Sequence, residues 1–244
     1  MQLDVLAFGP HPDDIELTCG GTLIKLSDQG YTTGVIALTR GELGTRGSPE
    51  IRSREFRKAS CLLGAKVHCV LDIPDGYIRS TQENHLKIIR EIRRHRPKII
   101  FAPYWHDRHP DHERASVLIR EAAFLSGLEK IKTNQGSYRP LRVIFYACRY
   151  EFNPSFIVDI SAVHERKLEA VAAYKSQFNS TSKPNYEKTT NISISEFMES
   201  VIARAKQYGS YIGTAYGEPF LVREPIRIDN PIDFFDEMYL KSFV

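Results

Sequence analysis

The stretch LDVLAFGPHPDDIELTCGGTLIKLSDQGYTTGVIALT, residues 3–39, contains one strand–helix–strand unit and decides the fold class. Leu3–Phe8 is a short apolar run that ends at a Gly-Pro pair, which predicts a buried strand followed by a loop. Ile15–Gln29 carries apolar residues at helical spacing and stops at a glycine, which predicts a helix. Thr33–Thr39 then predicts a second strand, so the chain begins with a β-α-β unit.

The same alternation continues along the chain. It predicts helices at Pro49–Leu63, Gln82–His95 and His112–Leu125, and strands at Val67–Leu71, Lys98–Ala102, Arg142–Tyr146 and Phe156–Ile160. Strands that alternate with amphipathic helices indicate an α/β fold in which helices cover both faces of a parallel sheet. We therefore expect a Rossmann-like parallel sheet.

The last third of the sequence is less regular. A helix is predicted at Ala162–Phe178, followed by a polar stretch at Asn179–Asn191 and a helix whose start is marked by the capping-box spacing of Ser193 and Glu196. No repeat and no large shift of composition divides the chain. We expect residues 1–244 to form a single domain with a C-terminal elaboration.

Composition excludes several classes of function. The 244 residues include 33 Lys and Arg against 30 Asp and Glu, a formal charge of +3 that is too balanced for strong non-specific attraction to nucleic acid. The longest apolar runs, such as Val5–Phe8, fall far short of the roughly 18–20 residues that span a bilayer. The amino terminus does not resemble a secretory signal, and the four cysteines form no CxxC pair. We therefore expect a cytoplasmic protein that binds neither nucleic acid nor membrane.

Two His-Pro-Asp segments carry the chemistry. GPHPDD at residues 9–14 follows the first predicted strand, and DRHPDH at residues 107–112 follows the fourth. In open parallel sheets, ligands bind at the carboxyl ends of the strands, in the crevice where the strand order reverses. If the order is 3-2-1-4-5, the first and fourth strands are neighbours at that crevice. The two segments would then face each other although they are far apart in the sequence.

Together the segments concentrate six residues that can bind metal or move protons, which are His11, Asp13, Asp14, His109, Asp111 and His112. Two imidazoles and one carboxylate with open coordination positions are typical of a catalytic Zn²⁺ site, and they also suit Fe²⁺. His11 and Asp14, three apart in a turn stiffened by proline, can point at one ion that His112 completes. Asp13 and His109 remain as the acid–base pair that metal-assisted hydrolysis requires.

Other interpretations compete with this one. Each segment alone is more typical of a helix start, because an Asp there accepts backbone N–H bonds, and only the pair favours function. His106 is a rival third ligand because His106, His109 and His112 are evenly spaced. The same donor set occurs in non-haem Fe²⁺ oxygenases. A non-catalytic sugar- or nucleotide-binding module is a further alternative, although no GxGxxG follows the first strand.

Several motifs resemble one known family. They are FGPHPDD at 8–14, TRGELGTRGSPEIR at 39–52, PDG at 74–76, DRHPDH at 107–112, and PSFIVDIS with AYKSQF further along. They look like the LmbE/PIG-L family of zinc-dependent N-acetylglucosamine deacetylases, over about residues 3 to 220. The closest match is the branch that deacetylates N-acetylglucosaminyl-malate in bacillithiol biosynthesis. One departure is Pro10, where alanine commonly precedes the motif histidine.

The resemblance implies a role for each site residue. The metal ligands would be His11, Asp14 and His112, the general base Asp13, the acid or oxyanion-stabilising group His109, and the group that orients His109 would be Asp111. Arg52 and Asp75 would contact the substrate. The implied metal is Zn²⁺, with Fe²⁺ as the second choice, and the implied assembly is a homo-oligomer, often a hexamer in this family.

The loop after the second strand bears on the substrate. It is rich in arginine beside a predicted helix start, with Arg40, Arg46, Arg52, Arg54 and Arg57. This favours a substrate carboxylate or phosphate, whereas the interleaved glutamates favour a mixed charged surface. We expect an enzyme that removes acetate from N-acetylglucosaminyl-malate, a small N-acetylglucosaminide with an acidic aglycone. The alternative is a deacetylase of another N-acetylglucosamine conjugate or of a chitooligosaccharide.

Overall fold

The computed structural model describes residues 1–178 and 195–239. Its strands are β1 Val5–Gly9, β2 Thr33–Ala37, β3 Val67–Val70, β4 Ile99–Pro103, β5 Arg142–Tyr146, β6 Phe156–Asp159 and β7 Gly217–Val222. Its helices are α1 Asp14–Asp28, α2 Pro49–Leu62, α3 Gln82–His95, α4 Pro110–Leu125, α5 His164–Ala172, α6 Lys175–Phe178, α7 Ser195–Ser210 and α8 Pro231–Tyr239. A 3₁₀ turn at Ser161–Val163 precedes α5.

All seven strands form one sheet in the order β3-β2-β1-β4-β5-β7-β6. The first five strands along the chain are parallel and follow the order 3-2-1-4-5. β1 lies between β2 and β4, so the strand order reverses beside it and the carboxyl ends of β1 and β4 are neighbours. The expected α/β class is confirmed, and the crevice lies where the two His-Pro-Asp segments were expected to meet.

Alternate side chains of each central strand build two apolar cores, one on each face of the sheet. In β1, Val5 and Ala7 join the core with α1, α2 and α5, whereas Leu6 and Phe8 join the core with α3 and α4. Every residue of β1 and β2 is buried, as a parallel strand covered on both faces requires. The helices therefore hold the carboxyl ends of the central strands in a rigid frame.

The sheet is mixed rather than parallel throughout, which corrects part of the sequence expectation. β7 lies between β5 and β6 and pairs antiparallel with both, so β6 forms the edge of the sheet on this side. The sequence did not predict β7, because its segment GEPFLV contains a glycine and a proline, which weaken a strand pattern. The antiparallel strands extend the sheet on the side of β5, away from β3.

The predicted continuous helix at Ala162–Phe178 is also wrong. The chain forms the 3₁₀ turn, α5 and α6, and the helix is interrupted where Tyr174 turns into the core. There its hydroxyl donates to Glu16 Oε1 at 3.1 Å. The polar stretch Asn179–Asn191 and the predicted capping residue Ser193 lie outside the described residues.

A buried polar network joins the C-terminal elaboration to α1. The Glu218 carboxylate on β7 accepts hydrogen bonds from the backbone N–H groups of Gly21 and Thr22 at 2.9 and 2.7 Å, and from the Thr22 hydroxyl at 2.6 Å. Lys167 Nζ on α5 lies 2.7 Å from Glu218 Oε1, and both side chains are almost fully buried. Because the charge is paired and hydrogen-bonded on several sides, its burial is compensated.

Two expectations from composition can be compared with the structure. Over residues 1–178 and 195–239, none of the helices combines the length and apolar character needed to cross a membrane. The four cysteines carry free thiols, with Cys19 and Cys148 buried and Cys61 exposed.

Candidate metal and active site

The two His-Pro-Asp turns meet at the carboxyl ends of β1 and β4 and line one side of a cavity of about 410 Å³. The ring centroids of His11 and His109 are 4.8 Å apart, and those of His11 and His112 are 5.5 Å apart. The structure thus brings together side chains from both turns. A cavity of this size is typical of a small-molecule site.

His11, Asp14 and His112 present a donor set for one metal ion. His11 Nδ1 lies 3.2 Å from Asp14 Oδ2, and His112 Nε2 lies 3.4 Å from Asp14 Oδ1. The three ligand atoms lie within 4.8 Å of one another. Two imidazole nitrogens and a carboxylate oxygen around one point suit Zn²⁺ or Fe²⁺. The rival His106 is two-thirds exposed and its Nδ1 lies 3.2 Å from Glu113, outside this group.

The second nitrogen of each of these imidazoles contacts a further carboxylate. His11 Nε2 lies 3.1 Å from Asp75 Oδ1 and 3.4 Å from Asp111 Oδ2. His112 Nδ1 lies 3.1 Å from Asp107 Oδ1. Carboxylates in this position fix the tautomer and orientation of metal-binding histidines. Asp75 was expected to contact the substrate, but in the structure its carboxylate contacts His11.

Asp107 is a site residue that sequence analysis missed. Its carboxylate accepts hydrogen bonds from the backbone N–H groups of His109, Arg149 and Tyr150 and also contacts His112. It thereby ties the loop after β4 to the loop after β5. The only signal in the sequence was its place at the head of DRHPDH, directly after the strand end.

The site carries an excess of carboxylates, which a cation would balance. Burial alone would raise the pKa of both Asp107 and Asp75. Contact with His112 instead lowers the pKa of Asp107, and contact with His11 lowers that of Asp75 to about 2. Burial alone would lower the pKa of His11, yet Asp111, Asp14 and Asp75 raise it well above its ordinary value. A site that favours positive charge so strongly fits a divalent metal.

Asp13 differs from the other carboxylates of the site. Burial raises its pKa to about 7, although Arg52 and the neighbouring imidazoles act in the opposite direction. Its backbone is left-handed at φ 108°, a sparsely populated conformation for a residue with a side chain. It stands at the start of α1 but caps none of that helix's N–H groups. A buried carboxylate with a pKa near neutrality suits a general base.

His109 has a defined tautomer. It is the N-cap of α4, and its Nδ1 accepts a hydrogen bond from the backbone N–H of Asp111 at 3.2 Å. The proton of the neutral ring must therefore be on Nε2, and burial together with His11 and His112 lowers its pKa. We expected the Asp111 carboxylate to orient His109. Instead the backbone amide of Asp111 does so, while its carboxylate contacts His11 and accepts from the Gly76 and Ile78 N–H groups.

Comparisons with known proteins agree with this geometry. A family model described as PIG-L, GlcNAc-PI de-N-acetylase, matches residues 6–123, which include both turns. Diacetylchitobiose deacetylase from Thermococcus kodakarensis is 34% identical over 186 residues, covering 71% of this chain and 70% of that protein. The chain belongs to the PIG-L family of deacetylases.

Solved structures share this fold over about nine-tenths of the chain. The conserved protein TT1542 from Thermus thermophilus has a TM-score of 0.84 at 40% identity, covering 93% of this chain and 97% of that one. N,N'-diacetylchitobiose deacetylase from Pyrococcus horikoshii has a TM-score of 0.77 at 29% identity, covering 89% of this chain and 82% of that one. The PIG-L fold therefore extends beyond the residues that the family model matches.

The family resemblance stated from the sequence is confirmed, but its finer branch is not. A probable N-acetyl-α-D-glucosaminyl L-malate deacetylase 2 from Bacillus anthracis is 26% identical over 194 residues, which is a more distant match than the chitobiose deacetylase. The comparisons thus favour the alternative named above over the bacillithiol branch.

Arg52 in this PIG-L chain is committed to the protein itself. Its guanidinium donates to the carbonyls of Gly41 and Pro12 at 3.1 and 2.6 Å and to Asp13 Oδ2 at 3.3 Å. Arg52 is only 5% exposed. A Cβ on Gly41, where φ is +67°, would lie 1.8 Å from Arg52 Nη1, so that glycine makes room for the guanidinium. Arg52 lines the cavity, but most of its donors bond the first His-Pro-Asp turn and the loop after β2.

Proposed function

We propose that this protein is a metal-dependent hydrolase that removes the N-acetyl group from a small N-acetylglucosaminide. The observation that carries the proposal is the pair of His-Pro-Asp turns, which present a three-ligand donor set with Asp13 beside it. Membership of the PIG-L family supports the same chemistry, since the relatives at 34% and 29% identity are named as deacetylases.

In the proposed mechanism, His11, Asp14 and His112 would hold the ion, with Zn²⁺ as the first choice and Fe²⁺ as the second. When bound, such an ion acidifies water and polarises a carbonyl oxygen. Asp13 accepts a proton as water adds to the acetamide carbon. His109 donates a hydrogen bond from Nε2–H to the developing oxyanion. Asp13 then returns the proton to the nitrogen as the C–N bond breaks, giving a free amine and acetate.

In this proposal the His109 ring is neutral. A role as general acid would instead require the protonated imidazolium form. Nδ1 already accepts the backbone N–H of Asp111, so a second ring proton would break that bond. The neighbouring His11 and His112 disfavour added positive charge in the same way. In this proposal His109 is a hydrogen-bond donor, and proton transfer to the leaving amine belongs to Asp13.

The proposed substrate is a short N-acetylglucosamine oligosaccharide, with N,N'-diacetylchitobiose as the first compound to test. Support comes from the names of the relatives in Thermococcus and Pyrococcus, which match at higher identity than the malate enzymes. N-acetylglucosaminyl-malate is the second candidate. A homo-oligomer also remains a proposal, which light scattering on the purified protein would measure.

Acetate release tests the function. Purified protein is stripped with a chelator, reloaded with Zn²⁺ or Fe²⁺, and incubated with diacetylchitobiose or N-acetylglucosaminyl-malate. We expect acetate and a free amine only with metal, and almost none from the Asp13→Asn variant. Absence of acetate from both substrates under every metal would overturn the proposal, whereas oxygen consumption would indicate the oxygenase alternative.

A further inference from the structure

Besides Arg52, three arginines line the cavity. Arg108, Arg149 and Arg204 line it, and we refer to these three residues as the arginine wall. They come from three different places in the fold, namely the loop after β4, the loop after β5, and α7. None of them forms an ion pair with a carboxylate among the residues that the structure describes.

Arg204 is the least exposed residue of the arginine wall. It reaches from α7 and donates a hydrogen bond to the carbonyl of Cys148 at the end of β5, which is a neutral partner. Burial lowers the pKa of its guanidinium, and the neighbouring positive charge of Arg149 acts in the same direction. Glu151, the acidic residue whose charge acts on Arg204, is exposed and is not in salt-bridge contact with it. A desolvated cation without a counter-ion is costly for a folded protein.

The other cationic groups near the cavity differ in this respect. Arg52 is paired with Asp13, and Arg40, outside the cavity, is paired with Asp72. The cavity therefore holds two kinds of charge: carboxylates surround the metal-binding donors, and the arginine wall has no carboxylate partner within residues 1–178 and 195–239. A substrate with its acetamide at the metal-binding donors would place its remaining part in the same cavity, which the arginine wall also lines.

We infer that Arg149 and Arg204 form an anion-binding subsite for a carboxylate or phosphate on the part of the substrate that is not hydrolysed. The guanidinium fork matches both groups. Only the kinetic test of this subsite depends on the proposed deacetylase function. The subsite also places the acid-binding role at Arg149 and Arg204 instead of the arginine-rich loop after β2, and it favours N-acetylglucosaminyl-malate over the uncharged N,N'-diacetylchitobiose as the substrate.

Two glycosides that differ by one carboxylate test the subsite. The methyl and carboxymethyl glycosides of N-acetylglucosamine are compared on the metal-loaded wild type and on Arg204→Gln, Arg149→Gln and Arg57→Gln. Arg57 is an exposed arginine outside the cavity and serves as the matched control. Circular dichroism checks folding, and Arg149→Gln keeps the test decisive if Arg204→Gln does not fold, because Arg149 is exposed.

We expect wild type to prefer the carboxymethyl glycoside and each cavity variant to lose about ten- to a hundredfold in kcat/KM on it. The methyl glycoside and the Arg57 variant should stay within about twofold of wild type. An equal loss on both glycosides, or no preference in wild type, would overturn the subsite.

If wild type hydrolyses neither glycoside, calorimetric binding decides the subsite, while acetate release from diacetylchitobiose and N-acetylglucosaminyl-malate still decides the deacetylase proposal. Tighter binding of the carboxymethyl glycoside that disappears in Arg204→Gln would support it. Equal binding of the two glycosides to wild type would refute it.

Discussion

The two His-Pro-Asp turns have the same three residues in opposite roles. In the first turn the histidine, His11, belongs to the proposed metal-binding donor set, and Asp13 is the proposed base. In the second turn the histidine, His109, caps α4 and is the proposed hydrogen-bond donor to the oxyanion, while the proposed metal ligand is His112, one residue beyond the aspartate. The difference arises from the backbone, because α1 begins after the first turn and α4 begins within the second.

The backbones also differ in strain. Pro110 occupies the first position of α4 and His109 is extended, so the second turn is an ordinary helix start. The first turn places Asp13 at positive φ, and Arg52 holds it through the Pro12 carbonyl and the Asp13 carboxylate. A strained residue persists only where its surroundings over-determine it, and here that residue is the proposed base. The same His-Pro-Asp sequence therefore forms a strained first turn that Arg52 holds in place and an unstrained second turn.

Metal content gives the largest expected difference between the turns. His11→Ala and His112→Ala should purify nearly metal-free, because a three-ligand site loses most of its affinity with one ligand. His109→Ala should retain its metal, although it carries the same residue type in the same motif. Elemental analysis after dialysis against Zn²⁺ measures this. His106→Ala is the control, and metal loss in that variant would reassign the third ligand.

The central aspartates provide the second test. Asp13→Asn keeps the shape of the turn and should keep its metal, but it removes the proton acceptor, which is typically worth about 10²–10⁴ in rate. Single-turnover acetate release with metal-loaded protein measures the effect. Near wild-type turnover would make Asp13 a structural residue.

The corresponding change in the second turn, Asp111→Asn, should act on metal binding instead. Loss of a carboxylate that orients a metal-binding histidine typically costs about 10- to 100-fold in affinity. Competition with a chromogenic chelator measures the dissociation constant. If Asp111→Asn lowered turnover without weakening metal binding, its carboxylate would serve His109 as first expected.

Arg52→Met gives the smallest expected change. It removes charged hydrogen bonds that hold the first turn, so kcat should fall by roughly tenfold on neutral and acidic substrates alike. Methionine keeps much of the apolar stem and limits the packing loss. A loss confined to acidic substrates would instead return the anion-binding role to Arg52.

The sequence predicted the elements and contacts that depend on local periodicity. β1–β4 are short apolar runs, α1–α4 carry apolar residues at helical spacing, and both turns were placed correctly because each directly follows a strand. β7 was missed because Gly217 and Pro219 break its pattern. Asp107 and Arg204 were missed for another reason. Their roles depend on loops and helices that meet only in the folded chain, and no local pattern encodes that meeting.

The Glu218 carboxylate, which lies against the middle of α1, has a consequence for the order in which the protein matures. Its oxygens accept from N–H groups that lie nearly two hundred positions earlier in the chain. The first β-α-β unit would thus leave the ribosome long before Glu218, its buried partner, is made. Contacts between residues this distant in sequence slow folding. Nascent chains arrested at residue 210 should accordingly be cleaved by protease near Gly21, whereas the released full-length protein should resist.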